Sequence, residues 1–146
     1  MHILVLNGPN LNMLEHRDPA RYGHTSLPDI ASMLHREFDT VTTEFFQSNH
    51  EGELVERIHQ VVHEGGVDGM LVNFGGLTHT SVVLRDALAM VKVPKVEVHL
   101  SNIHAREPFR HASLTGGVCD GIIAGFSANS YRYGMQALLD LINGRS

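Results

Sequence analysis

In the run Val96-Glu97-Val98-His99-Leu100 of this 146-residue chain, a carboxylate stands two residues from an imidazole. Alternate residues of an extended strand share a face, so Glu97 is placed to fix the tautomer of His99 and favour its protonated form, which is what a general acid needs. An exposed edge strand carrying two polar residues gives the same pattern, and spacing does not separate the two readings. A second candidate lies in Glu15-His16-Arg17-Asp18-Pro19-Ala20-Arg21-Tyr22-Gly23, part of a segment long enough to act as a lid. A phenol beside guanidinium groups has its ionised form favoured, which makes Tyr22 near Arg17 a candidate base. A surface tyrosine packing a loop is the commoner fate of such a residue, and for Tyr131 and Tyr133 it is the only expectation.

Further polar groups gather where strands are expected to end: Asn7-Gly8-Pro9-Asn10-Leu11-Asn12, Gln47-Ser48-Asn49-His50-Glu51-Gly52, Asn73-Phe74-Gly75-Gly76 and His99-Leu100-Ser101-Asn102. Singly, each is ordinary turn chemistry. Together with His79, Arg17, Arg106 and Arg110 on one rim they read as a site. Thr78-His79-Thr80-Ser81 offers a helix cap, and His79 and Asp86, seven residues apart, are expected on one helical face. Asp86 beside Arg85 reads equally well as a solvated helical charge.

The elements that must position these residues follow from hydrophobic periodicity. Strands are expected at residues 2–6, 40–47, 68–73, 95–100 and 118–124. Helices are expected from Ser26-Leu27-Pro28-Asp29 through the stripe Ile30, Met33, Leu34 and Phe38, then at 51–64 with Gly65-Gly66 as its stop, at 78–91 and at 127–143. Five strands alternating with helices predict an α/β, flavodoxin-like doubly wound five-stranded parallel sheet with helices on both faces. In such a sheet ligands bind beyond the carboxyl ends of the strands, where the polar runs fall. The length suits a single catalytic domain over residues 1–146.

Composition narrows the chemistry. A formal charge of -5 disfavours nucleic acid as a partner. The one cysteine, Cys119, has no partner for a disulfide within the chain, which fits a reducing compartment. A short apolar start stopped by Asn7-Gly8-Pro9 suggests neither export nor a membrane span, so a cytoplasmic location is expected. Arginines number nine against two lysines, Lys92 and Lys95, and a guanidinium fork suits oriented carboxylates and hydroxyls. Both lysines flank the start of the fourth strand, away from the polar rim, which disfavours an imine mechanism. His99, His104 and His111 lack the thiolates and tight spacing of a zinc site, and Asn7-Gly8-Pro9-Asn10 lacks the P-loop lysine and the three-glycine dinucleotide pattern. Neither metal nor cofactor is expected.

Several motifs, in order along nearly the whole chain, carry a family resemblance: Leu6-Asn7-Gly8-Pro9-Asn10-Leu11-Asn12, Tyr22-Gly23, Gln47-Ser48-Asn49-His50-Glu51-Gly52-Glu53-Leu54, Thr78-His79-Thr80-Ser81 with Arg85-Asp86-Ala87, and Glu97-Val98-His99-Leu100-Ser101-Asn102 running into Arg106-Glu107-Pro108-Phe109-Arg110. The chain resembles the type II 3-dehydroquinate dehydratases of the shikimate and quinate pathways. That resemblance implies Tyr22 as the base, aided by Arg17 and Arg106, with an enolate intermediate. It implies that Asn10 helps hold a water against the enolate, and that His99, oriented by Glu97, protonates the departing hydroxyl. The substrate carboxylate would rest on the amides near Leu100 and Ser101 and on the Ser101 hydroxyl, with Asn73, His79 and Arg110 on the ring hydroxyls. Asp86 is similar to a residue that reaches a neighbouring subunit's site in a homododecamer built from trimers. Two places depart from the family pattern, Glu15-His16 before Arg17 and Phe74 after Asn73, and both are expected at the rim of the site.

Overall fold

The computed structural model describes residues 1–144. Strands β1 (His2–Asn7), β2 (Thr42–Gln47), β3 (Gly69–Asn73), β4 (Lys95–His99) and β5 (Gly121–Ala124) pair in parallel in the order β2-β1-β3-β4-β5. Helices α1 (Pro19–Tyr22), α2 (Leu27–Glu37), α3 (Glu51–Glu64), α4 (Val82–Ala89) and α5 (Asn129–Ile142) complete the alternation. This is the flavodoxin-like doubly wound sheet that the pattern predicts.

Strand β1 shows why both faces carry helices. Ile3 and Val5 pack with Ile30 and Leu34 of α2 and with Tyr131, Met135 and Leu138 of α5. Leu4 and Leu6 point the other way, to Leu54 and Ile58 of α3 and Leu84 and Leu88 of α4. Because successive strand side chains alternate, one continuous apolar run supplies both layers. Local signals hold where expected. The Ser26 hydroxyl accepts from the Asp29 amide while Asp29 accepts from the Ser26 amide, a capping box that starts α2, and Gly65, at φ 67, ends α3.

Three expected boundaries move. The first connection is not plain loop: a 3-10 turn, Leu11–His16, precedes α1, which the Asp18 carboxylate caps through the Ala20 amide. The third helix begins at Val82, because the Ser81 hydroxyl accepts from the Leu84 amide and caps it there. Thr78 and His79 belong instead to a 3-10 turn, Gly75–His79, so His79 and Asp86 do not share a helical face. Strand β5 begins at Gly121 rather than Val118. Gly116–Val118 forms a turn, and Asp120 closes the sheet edge by exchanging bonds with the Lys95 backbone, its carboxylate 2.8 Å from that amide and its amide 2.7 Å from that carbonyl.

Helix α5 meets the sheet closely at Gly134, where a Cβ would stand 2.4 Å from Val98 Cγ1 and 2.8 Å from Leu71 Cδ1. Alanine there gains about 1 kcal/mol of helix propensity, but overpacking costs about 1–3 kcal/mol. Val98 is wholly buried and stiff at χ1, so it has nowhere to yield. Gly134→Ala is therefore expected to lower the thermal midpoint by a few degrees in a calorimetric scan. A raised midpoint would mean that α5 lifts off the sheet without cost.

Candidate active site

The carboxyl ends of the central strands open onto one small hollow. Tyr22 and Arg17 reach it from the first connection, Asn73 from the end of β3, His79 from the turn that follows, and His99 from the end of β4. Leu100, Ser101, Arg106 and Arg110, from the segment after β4, complete the predicted residues on its wall. Leu11, Gly75, Gly76 and Ile103 also line it and are not among the predicted site residues, although Leu11 and Gly75-Gly76 stand in two of the polar strand ends.

Glu97 and His99 do share a face, and it is an interior one: they are 0% and 5% exposed, with His99 Nε2 2.9 Å from Glu97 Oε2. An ionised carboxylate only accepts, so His99 donates from Nε2 and Nδ1 is its other ring nitrogen. Burial alone would push the Glu97 carboxyl up. Hydrogen bonds and charge from His99, with hydroxyl bonds from Thr115 and Ser113, hold it below the usual carboxylate range instead.

Tyr22 is buried, not a surface loop residue. Arg17 Nη2 donates to its hydroxyl at 2.5 Å, and the guanidinium carbons of Arg17 and Arg106 lie 3.8 and 5.2 Å from its ring centroid. Burial, reinforced by Arg106 and Arg110, lowers the proton affinity of Arg17 while Tyr22 raises it. Arg106 Nη1 donates to Ser101 Oγ at 3.3 Å. Arg110 donates to Glu107 at 2.6 Å, and Glu107 also accepts from Arg21 of α1 at 3.3 Å, so one carboxylate ties the lid-like segment to the segment bearing Arg110. The bond from Arg110 is the main reason the Glu107 carboxyl sits below its ordinary value. His79 donates from Nδ1 to the Ala112 carbonyl at 2.8 Å, and its ring stacks 6.3 Å from that of His99. Burial lowers the pKa of His79 against that carbonyl bond, so the ring is neutral near pH 7 and Nε2 is an acceptor.

Asn10 and Asp86 stand apart from the hollow. Asn10 is exposed in a left-handed conformation at φ 69, its amide bound to Asn49 Oδ1 at 3.0 Å. Asp86 is exposed on α4. The polar end of β2 is support rather than wall, since Gln47 donates to the Gly8 carbonyl at 3.2 Å. Of the two departures from the family pattern, Glu15 is exposed and off the wall, and Phe74 is wholly buried in the α3/α4 core, so neither shapes the rim as expected.

Lys95 lies at the far end of β4, its Nζ on the Val91 carbonyl at 2.7 Å. Among the described residues, no three His, Cys, Asp or Glu stand together as a metal set, and no helix is long and apolar enough to cross a membrane.

Beneath the hollow, the loops after β1 and β3 touch backbone to backbone. A Cβ on Gly8 would stand 2.4 Å from the Phe74 carbonyl oxygen, and one on Gly75, at φ 59, would stand 2.8 Å from that of Pro9. Tyr131 pins the same two loops from α5: its hydroxyl donates to Asn7 Oδ1 at 2.6 Å and accepts from Asn73 Nδ2 at 2.9 Å. Tyr131→Phe removes the partner of Asn7 Oδ1 and of Asn73 Nδ2, at about 1–3 kcal/mol. The expected outcome is a lower thermal midpoint with a severalfold higher KM, as Asn73 keeps the Gly75 amide on its oxygen but loses the partner of its nitrogen. Unchanged melting and KM would show that the phenol positions nothing.

The family model for dehydroquinase class II matches residues 1–139. A 3-dehydroquinate dehydratase of Synechococcus sp. (strain CC9605) is 54% identical over 141 residues, 95% of each chain. One from Chlorobaculum tepidum is 50% identical over 137 residues, 94% of this chain and 93% of that one. The crystal structure of a type II dehydroquinase from Butyrivibrio crossotus superposes with a TM-score of 0.91 at 40% identity, covering 95% of this chain and 97% of that one. The chain belongs to the class II dehydroquinase family.

Proposed function

We propose that the hollow removes water from 3-dehydroquinate to give 3-dehydroshikimate, with Tyr22 as base and His99 as acid. Family membership makes the chain a type II 3-dehydroquinate dehydratase, a hydro-lyase acting on a small molecule. What supports the finer reading is that Tyr22, bound to Arg17, and His99, bound to Glu97, line the same hollow.

In that reading the Tyr22 oxygen takes a proton from the carbon alpha to the ring ketone, and the freed electron pair forms an enolate. Arg17 and Arg106 supply the positive charge beside the phenol. The water that the resemblance places on Asn10 is not assigned to it in this step, because Asn10 is exposed and off the wall of the hollow. As the enolate collapses, the electrons form the carbon–carbon double bond and the carbon–oxygen bond to the beta hydroxyl breaks. His99 delivers the proton that turns this oxygen into water. Tyr22 is left with one proton gained and His99 with one lost, and exchange with solvent resets both. The substrate carboxylate takes the amides of Leu100 and Ser101 and the Ser101 hydroxyl, while Asn73, His79 and Arg110 hold the ring hydroxyls. Neutral His79 suits this role, because its Nε2 accepts from a hydroxyl. No metal or cofactor enters a step.

The same proposal takes residues 1–146 as one catalytic domain, working in the cytoplasm as a homododecamer of trimers in which Asp86 reaches the neighbouring subunit's site. Its support is that Asp86 is exposed and lies off its own chain's hollow. Adding 3-dehydroquinate to the purified, chelator-treated protein tests the reaction. Enone absorbance should rise in the near ultraviolet at the untreated rate, and a flat trace or one that needs added divalent cation rejects the reading.

A further inference from the structure

We propose that Ser113 and Thr115 are positioning residues that clamp Glu97 in the one orientation from which it aligns the His99 ring. The inference rests on His99 as the acid. Glu97 is wholly buried, and among the described residues His99 is its one ion-pair partner. A charge removed from water is tolerated only when its lone pairs are satisfied, and here His99 and two hydroxyls satisfy them. Ser113 Oγ donates to Oε2 at 2.7 Å, the oxygen that also accepts from His99, and Thr115 Oγ1 donates to Oε1 in a short bond. With both oxygens held, the carboxylate has no freedom to turn away from the imidazole.

The clamp is itself fixed. The Gly116 amide donates to Ser113 Oγ at 2.8 Å. Between the two hydroxyls, the Leu114 carbonyl accepts from Arg85 of α4 at 2.7 Å, and the Leu114 amide donates to the Thr78 carbonyl at 2.9 Å. The approach at position 116 is close, where a Cβ would meet Ile122 Cδ1 at 2.4 Å and Glu97 Oε2 at 3.2 Å.

The charged groups around the pair are few. On β4 there is Lys95, engaged by Val91; from the turn after β3 comes His79, whose proton affinity both Glu97 and Arg110 influence. From the connection into β5 come Cys119 and Asp120, and burial, aided by the charge of Glu97, pushes the Cys119 thiol up to about 12, so it is uncharged. The register neighbours of Glu97 on β3 and β5 are the apolar Val72 and Ile122. His99 and the two hydroxyls, rather than a fixed cation, therefore offset the charge of the carboxylate.

Thr115→Val keeps the shape and removes one donor to the anion. A hydrogen bond to a charged group is strong enough to move the titration of the coupled Glu97–His99 pair by about one pH unit, and the loss makes the pair hold its protons more tightly, so the midpoint rises. The experiment reads that midpoint by NMR at the His99 ring, beside the pH profile of kcat, for wild type, Thr115→Val, Ser113→Ala and Thr115→Ser. The first two should shift the midpoint upward and the kcat profile with it, and Thr115→Ser should restore both. A folded Thr115→Val or Ser113→Ala with an unmoved midpoint overturns the proposal, and if Thr115→Val does not fold, Ser113→Ala decides. A moved midpoint with an unmoved rate profile supports the clamp and rejects His99 as the acid, so the two failures are distinct.

Discussion

Tyr22→Phe is expected to lower kcat by about a thousandfold while leaving the fold and substrate binding largely intact. The aromatic ring is the structural part of Tyr22: it packs with Leu11 and Leu14 in the α2/α5 core, and phenylalanine keeps it. Arg17 loses a hydroxyl acceptor but retains the ring face at 3.8 Å, so the stability cost should stay near 1 kcal/mol. What disappears is the oxygen that accepts the proton, and a positioned base contributes roughly 10²–10⁴ in rate. Circular dichroism, a thermal scan and steady-state kinetics on one preparation separate these effects. A variant that melts normally and turns over at the wild-type rate ends the case for Tyr22 as base.

His99→Ala should cost a similar factor in kcat, again roughly 10³, because no other acid on the wall takes its place. His79 is the nearest alternative, yet burial lowers its proton affinity and its Nδ1 is committed to Ala112. Glu97 would not be stranded, since Ser113 and Thr115 still donate to both of its oxygens. The variant should therefore fold, but with a changed response to acid. A carboxyl whose folded-state pKa lies below its ordinary 4.5 adds stability that is fully present above about pH 4.5 and is lost as pH falls through the folded value. Removing one of three donors brings the folded value nearer the unfolded one, so acid unfolding of His99→Ala should begin at a higher pH than in wild type. Wild-type turnover in this variant would remove His99 from the mechanism.

How much of this was legible in the residues depends on the range of the interactions. Strands and helices with a strong period, β1 and α3 among them, are set by alternation and caps within a few residues, and they fall where the pattern puts them. Glu97 and His99 were readable as neighbours because two positions on a strand fix a shared face. That the face is buried was not readable, since it depends on β5 and the 113–118 segment closing over it. The start of α4 was misplaced because Thr78, Thr80 and Ser81 are all competent caps, and only the tertiary position of the 75–79 turn selects Ser81. The beginning of β5 was set too early because Val118 and Cys119 are apolar for packing, not for pairing. Tyr131 looked like an ordinary helical tyrosine, as nothing local shows that α5 aims it between the ends of β1 and β3. Ser113 and Thr115 sit in a polar connection with no period, 16 and 18 residues from the carboxylate they serve.

The contact between Gly8 and Phe74 and between Gly75 and Pro9 has a bearing on redesign. Two main chains already at touching distance form a floor that admits no added atoms, so the hollow cannot be deepened by trading side chains there. Room for a bulkier ring acid has to come from elsewhere on the wall, by trimming Leu11 and Ile103. Directed variation should be concentrated on those positions, with the glycines left alone.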